Sequence, residues 1–309
     1  MIVIPGSGLQ VHSLNLGGNV FGWTANEAAS FAVLDAYAAA GGNFVDTADV
    51  YPVWAPGCSG GESETILGRW LAARGNRDAM VIATKVCAHP DYRGLSASNI
   101  RRAAEASLRR LGTDHIDLYY AHYDDPAVEV AETVAAFDGL VRDGVVRTVG
   151  VSNFDAPRLA ESLSFARAEG LTGYTVAQYR YNLMERGYEA ELREVVAANG
   201  LALMPYRALA SGYLTGKYVT EADMSGARAG EVAEYAAGPG PGVRAQLARL
   251  ADAYGVRPAA IALAWLRAQP TVTAPIASVT RAAQLNELLP FTTVTLSADD
   301  LDALDVASR

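Results

Sequence analysis

The chain has 309 residues and a formal net charge of -9, with 50% hydrophobic and only 19% charged residues. Such a composition is too apolar and too weakly charged for a disordered or fibrous protein. An acidic balance with dispersed arginines gives phosphate backbones and anionic lipid no patch to bind, so nucleic-acid and membrane-surface roles are not expected and the partner is a small molecule.

Lysine stands only at Lys85 and Lys217, the rest of the 25 basic residues being arginine. Cys58 and Cys87 lie in no metal spacing, and no histidine has a second histidine or cysteine at ligand spacing, so no metal is expected. The start MIVIPGSGL lacks the basic segment and apolar stretch of a signal peptide. The longest apolar runs, such as Ala259 to Leu266, fall short of the roughly 20 residues of a membrane helix. Together these point to a cytoplasmic protein.

In chain order, residues Met1 to His12 are expected to form a two-stranded plug. Short apolar runs then alternate with longer stretches of helical period, the pattern of repeated βα units on a parallel sheet. The strand candidates are Leu14 to Gly18, Asn43 to Thr47, Met80 to Val86, Ile116 to His122, Val145 to Ser152, Thr175 to Tyr181, Leu201 to Tyr206 and Thr273 to Ala277. The helix candidates are Asn26 to Ala40, Ser63 to Arg74, Ser98 to Leu111, Glu129 to Arg142, Ala156 to Glu169, Glu189 to Asn199, Val243 to Tyr254 and Pro258 to Ala268. Gly112, Gly170 and Gly200 serve as helix stops. Val219 to Gly242, ending in GPGPG, reads as an excursion loop.

Eight βα units with no linker-like break predict α/β architecture, a single (β/α)₈ TIM barrel over residues 1–309 with an N-terminal β-hairpin plug and long C-terminal-face loops. No GxGxxG follows a strand and no GxxxxGK[ST] occurs, so neither a Rossmann domain nor a P-loop is supported.

In such a barrel, chemistry sits where strands end. The second strand ends at Asp46 with Tyr51 in the following loop, the third carries Lys85 near its end, and the fourth ends on His122. Each has a bland reading: a helix cap, loop packing, an ion pair, a core histidine. Together they make chemical sense. A tyrosine hydroxyl becomes a usable proton donor at neutral pH if a buried ammonium stabilises its phenolate, and a carboxylate keeps that ammonium charged. Lysine, a compact point charge, suits this better than arginine.

The chain resembles the aldo-keto reductase superfamily over essentially its whole length. The resemblance is carried by DTADVY with GESETILGRWL, ATKV, IDLYYAH followed by DDP, VGVSNF, AQYRYNL, PYRALASGYLTGKY and PIASVTRAAQLNEL. It implies a catalytic tetrad of Asp46, Tyr51, Lys85 and His122, with Tyr51 the general acid and His122 orienting the carbonyl. It implies NADPH (NADP+) as the cofactor, bound extended across the barrel mouth. Ser152, Asn153 and Gln178 match the residues that hold the carboxamide, and Tyr206 the aromatic that stacks on the nicotinamide. Leu209, Ser211, Gly212, Leu214 and Lys217 match the pyrophosphate loop. Ile276, Ser278, Thr280, Arg281 and Gln284 fall in the segment that holds the adenosine end, where an arginine favours a 2′-phosphate.

The chain departs from the family pattern at three places. Arg207 stands where a small residue is usual, so either it meets the pyrophosphate directly or the pocket differs there. Asn286, Glu287 and Leu288 lack the common glutamate–asparagine pair. The first loop, GGNVFGW, lacks the usual polar pair at Gly18 and Asn19, and Asn19 is left to contact the cofactor.

The expected activity is reduction of an aldehyde or ketone to an alcohol. Tyr51, Trp23, Trp54, His122 and Tyr123 are the candidate substrate-binding residues. Two alternatives use the same barrel: a cofactor-binding regulatory subunit with little turnover, and an aldolase with Lys85 as Schiff-base nucleophile. The second needs a lysine of lowered pKa, which a neighbouring Asp46 opposes.

Overall fold

Strands β1 (Ile2–Val3) and β2 (Gln10–Val11) pair antiparallel, Ile2 opposite Val11. The computed structural model describes residues 1–218 and 229–309. Ile4, Leu9 and Val11 are buried and cluster with Phe44, Val81, Val176 and Ala202. Those four residues open their own strands, so the hairpin plugs the N-terminal end of the sheet, as the sequence predicts.

The eight parallel strands are β3 (Asn15–Gly17), β4 (Phe44–Asp46), β5 (Val81–Val86), β6 (Ile116–Ala121), β7 (Val146–Ser152), β8 (Val176–Gln178), β9 (Ala202–Leu203) and β10 (Ile276–Ala277). They run in the order β10-β3-β4-β5-β6-β7-β8-β9. The ring closes through backbone bonds of Leu203 N to Thr271 O at 2.9 Å, Thr273 N to Leu203 O at 2.9 Å and Ile276 N to Pro205 O at 2.8 Å. Nearly every strand residue is buried, because helices cover the outside while side chains fill the inside.

The last two strands are shorter than the hydrophobic runs that predict them. Leu201 to Tyr206 contains Pro205 and Thr273 to Ala277 contains Pro275, and neither proline offers an N–H to the ladder. The carbonyls still serve: Pro275 O accepts from Asn15 N at 3.0 Å.

Between strands lie α1 (Glu27–Ala39), α2 (Glu62–Arg74), α3 (Ala97–Leu111), α4 (Val130–Arg142), α5 (Ala156–Ala168) and α6 (Glu191–Ala198). Asn26 and Asp155 cap α1 and α5, accepting from the backbone N–H groups of Ala29 and Arg158. α3 starts one residue before the predicted Ser98, with Ser96 at the cap position, and stops where Gly112 turns left-handed at φ +64°.

The predicted excursion loop is corrected in part. Residues 219–228 lie outside the described residues, but α7 (Ala229–Tyr235) follows, and α8 (Gly240–Tyr254) starts inside GPGPG. Proline in a helix's first turn has no hydrogen bond to lose, so the prolines begin a helix rather than break one. α9 (Pro258–Ala268), α10 (Leu285–Leu288) and α11 (Ala298–Ala307) complete the shell. Among the described residues no helix is long and apolar enough to cross a membrane.

α2 and α3 meet at Gly68, where a Cβ would lie 2.4 Å from the Arg110 carbonyl oxygen and 2.7 Å from that of Leu111. Both obstacles are backbone, so Gly68→Ala forces the helices apart. We expect a loss of about 1–3 kcal/mol in urea unfolding.

Candidate active site

Asp46, Lys85 and His122 reach one point because their strands are neighbours. β4 pairs β5 and β5 pairs β6, and His122, just past β6, donates its backbone N–H to Val86 O at 3.0 Å. Tyr51 arrives on the loop after β4. Its carbonyl accepts from Gly61 N and Ser63 N, both at 3.2 Å, which ties the loop to the start of α2.

Lys85 is fully buried. Its Nζ donates to Asp46 Oδ1 at 2.5 Å, to Thr47 O at 2.7 Å and to Tyr51 Oη at 3.4 Å. An ammonium has three hydrogens, and these three acceptors account for all of them. Gln178 Nε2 takes the other Asp46 oxygen at 2.8 Å. Since Lys85 donates to the tyrosine oxygen, the Tyr51 proton is not directed at Lys85.

One expectation about Tyr51 is corrected. Burial, reinforced by the negative charge of Asp46, pushes its hydroxyl well above the usual tyrosine range. Lys85, 3.4 Å from the hydroxyl oxygen, does not offset that burial. The hydroxyl therefore keeps its proton throughout the neutral range. Burial, and then the Lys85 charge, drives His122 well below the usual histidine range, so its imidazole is neutral. His122 Nδ1 is buried without a hydrogen-bond partner among the described residues.

The predicted substrate residues form an aromatic rim. The Tyr51 ring meets Trp54 edge-on at 5.5 Å and His122 at 5.9 Å, Trp23 meets Trp54 at 5.8 Å, and Tyr123 stacks on His122 at 4.6 Å. Trp54 and Tyr123 remain 46% and 48% exposed, unusual for rings of this size.

The residues matched to a carboxamide and nicotinamide are linked to the tetrad. Asn153 Nδ2 donates to His122 O and to Ser152 Oγ, both at 2.9 Å, and Tyr206 Oη donates to Asn153 Oδ1 at 2.8 Å.

Beyond Tyr206 the backbone takes unusual turns. Arg207, Ala210, Ser211 and Gly212 all have positive φ, at +54°, +46°, +55° and +96°. Turns of this kind gather N–H groups into concavities that suit anions. Arg207 lies inside this turn, a Cβ on Gly212 would sit 3.3 Å from Lys217 Nζ, and Leu209 and Leu214 are buried beneath. The donors and charges fit a diphosphate.

At the far end, Ser278 Oγ donates to Asn19 Oδ1 at 2.5 Å, and Gly18 N to Asp46 O at 2.7 Å. Gln284 Oε1 accepts from Thr280 N at 2.9 Å and Arg281 N at 3.2 Å, while Ile276 is buried below. The Arg281 side chain is exposed and enters no ion pair among the described residues.

Sequence reasoning missed a buried cluster behind the tetrad. Glu64 accepts from Thr84 Oγ1 at 2.5 Å and Arg110 Nε at 2.6 Å, and beside it Asp49 is fully buried, with no side-chain hydrogen bond to its carboxylate among the described residues. Burial, and then the Glu64 charge, holds the Asp49 carboxyl well above the usual range. It also missed Glu231, which caps the Arg207 turn. Asp49 reads locally as a turn residue and Glu64 as an acidic first-turn residue; only packing shows them buried.

The sequence model of the Aldo/keto reductase family matches residues 13–309. The chain is 34% identical to the Protein tas of Escherichia coli (strain K12), over 99% of this chain and 96% of that protein. It is 34% identical to norsolorinic acid reductase stcV of Emericella nidulans, over 97% and 79%. It is 33% identical to an aryl-alcohol dehydrogenase [NADP(+)] of Phanerodontia chrysosporium, over 67% and 58%. With its (β/α)₈ barrel and a family match over nearly its whole length, the chain belongs to the aldo/keto reductase family.

Proposed function

We propose that the protein is an NADPH-dependent reductase of aldehydes or ketones, with Tyr51 delivering the proton. The reading rests above all on Lys85, which is held by Asp46 and Thr47 and donates to the Tyr51 oxygen, leaving the Tyr51 proton for another acceptor. When bound, NADPH supplies a hydride to the carbonyl carbon. The protein's own part is electrostatic and geometric. Tyr51 gives its proton to the carbonyl oxygen as charge develops there, and Lys85, already donating to the tyrosine oxygen, stabilises the phenolate left behind. His122, neutral and held through Asn153, orients that oxygen.

Asn153, Ser152, Gln178 and Tyr206 would hold the nicotinamide end. The turn of Arg207, Leu209, Ser211, Gly212 and Leu214, with Lys217, would hold the diphosphate, and Ile276, Ser278, Thr280, Arg281, Gln284, Gly18 and Asn19 the adenosine end. The rim of Trp23, Trp54 and Tyr123 favours an aromatic carbonyl, in keeping with the names of the aryl-alcohol dehydrogenase and norsolorinic acid reductase relatives.

Neither alternative gains support from the site. A Schiff-base lysine needs a free amine, whereas the Lys85 hydrogens are all engaged. A turnover-poor regulatory subunit gives no reason to keep the tetrad.

The test is fluorescence titration with NADPH and NADH, followed by a panel of aryl and alkyl carbonyls. Binding of NADPH and turnover of aryl aldehydes is expected; failure of both cofactors to bind overturns the reading. Arg281→Ala should weaken NADPH binding by about 10- to 100-fold, the range of a lost charged hydrogen bond, and leave NADH binding unchanged.

A further inference from the structure

We propose that Glu231 is a built-in stand-in for the cofactor's diphosphate, competing for the donors of the Arg207 turn and thereby setting cofactor affinity. The proposal rests on the reading of that turn as the diphosphate site.

Glu231 lies in the first turn of α7. One carboxylate oxygen accepts from Arg207 Nη2 at 2.8 Å and the other from Ser211 Oγ at 2.5 Å. Arg207 Nη1 also donates to Ser211 Oγ, at 3.1 Å. One planar anion thus spans a guanidinium fork and a hydroxyl, the same pairing that anionic phosphate oxygens make.

The donor side is held by the fold and the acceptor side faces solvent. Asn182 Nδ2 donates to Arg207 O at 2.9 Å, and the left-handed backbone of Arg207 and Ser211 persists only because its surroundings hold it. Glu231, by contrast, has a side chain 42% exposed. Its carboxylate leaves for water without opening the core. α7 keeps a separate tie when it does so, since Tyr235 Oη donates to Glu185 Oε2 at 2.8 Å. A diphosphate and a carboxylate on the same donors repel each other, so each bound cofactor displaces Glu231 from them.

The experiment is NADPH titration by fluorescence quenching of the full chain in four forms: unaltered, Glu231→Gln, Arg207→Ala and the double variant. Glutamine keeps size and removes charge. Expected is a Kd about five- to tenfold lower in Glu231→Gln, as for relief of one charged hydrogen bond, and a change of less than twofold when the same substitution is made beside Arg207→Ala.

Equal or weaker NADPH binding by Glu231→Gln would show that Glu231 merely props Arg207 in place, and overturns the proposal. Undiminished tightening without Arg207 also overturns it. Failure of the unaltered protein to bind NADPH is a separate result, which removes the cofactor reading itself.

Discussion

Tyr51→Phe should lower carbonyl reduction by about 10²- to 10⁴-fold, the usual contribution of a positioned general acid, while NADPH binding changes little. The substitution removes one oxygen and keeps the ring that packs edge-on against Trp54 and His122. Stability should also hold, because the Lys85 hydrogen bond that is lost is the longest of its three, at 3.4 Å, and those to Asp46 and Thr47 remain. Single-turnover reduction with pre-bound NADPH reads the chemical step; retained turnover would remove Tyr51 from its role. The raised Tyr51 pKa adds a sign. The hydroxyl is protonated through the neutral range, so the rate should not fall between pH 6 and pH 8 from loss of this proton.

The second large effect concerns Lys85. Lys85→Met leaves Asp46 buried with Gln178 as its remaining side-chain donor, and breaking a buried pair on one side costs about 3–5 kcal/mol. Urea unfolding should show that loss directly. Lys85→Arg retains the charge, but a planar fork cannot replace a point charge that serves Asp46, Thr47 and Tyr51 within a fully buried site. Reduction should fall on the order of 10²-fold, as when one preorganised donor is removed. An arginine variant with normal turnover would show that position 85 needs only positive charge.

The scarcity of lysine singled out both positions, and the structure treats them differently. Lys85 sits at zero exposure among three acceptors, whereas Lys217 is exposed, its Nζ 4.7 Å from the Tyr218 ring centroid. Arginine could fill the second place chemically; the first leaves no room for it.

Local sequence determined the elements wherever one physical cause dominated. Runs such as VIATKV and IDLYYA are buried on both faces and need no partner to be read as strands. Gly112 ends α3 because a left-handed residue was required there. The tetrad was legible for the same reason: polar residues ending apolar strands stand out along the chain.

Where two causes competed, only the tertiary structure decided. Proline in GPGPG signals a break when read alone and a helix start once α8 packs, and Pro205 and Pro275 bring no N–H to the hydrophobic runs around β9 and β10. The pKa of Tyr51 depends on burial against charge, a balance set by residues from several strands. Asp49, Glu64 and Arg110 are far apart in the chain, and their burial behind the tetrad arises from the packing of α2 and α3 on β4 and β5. By itself the sequence determined the barrel, its plug and the identity of the polar strand ends, because period and burial are local signals. Which charges face one another, and that Glu231 occupies the Arg207 turn, was decided by the closed barrel, because electrostatics follows distance in space and not along the chain.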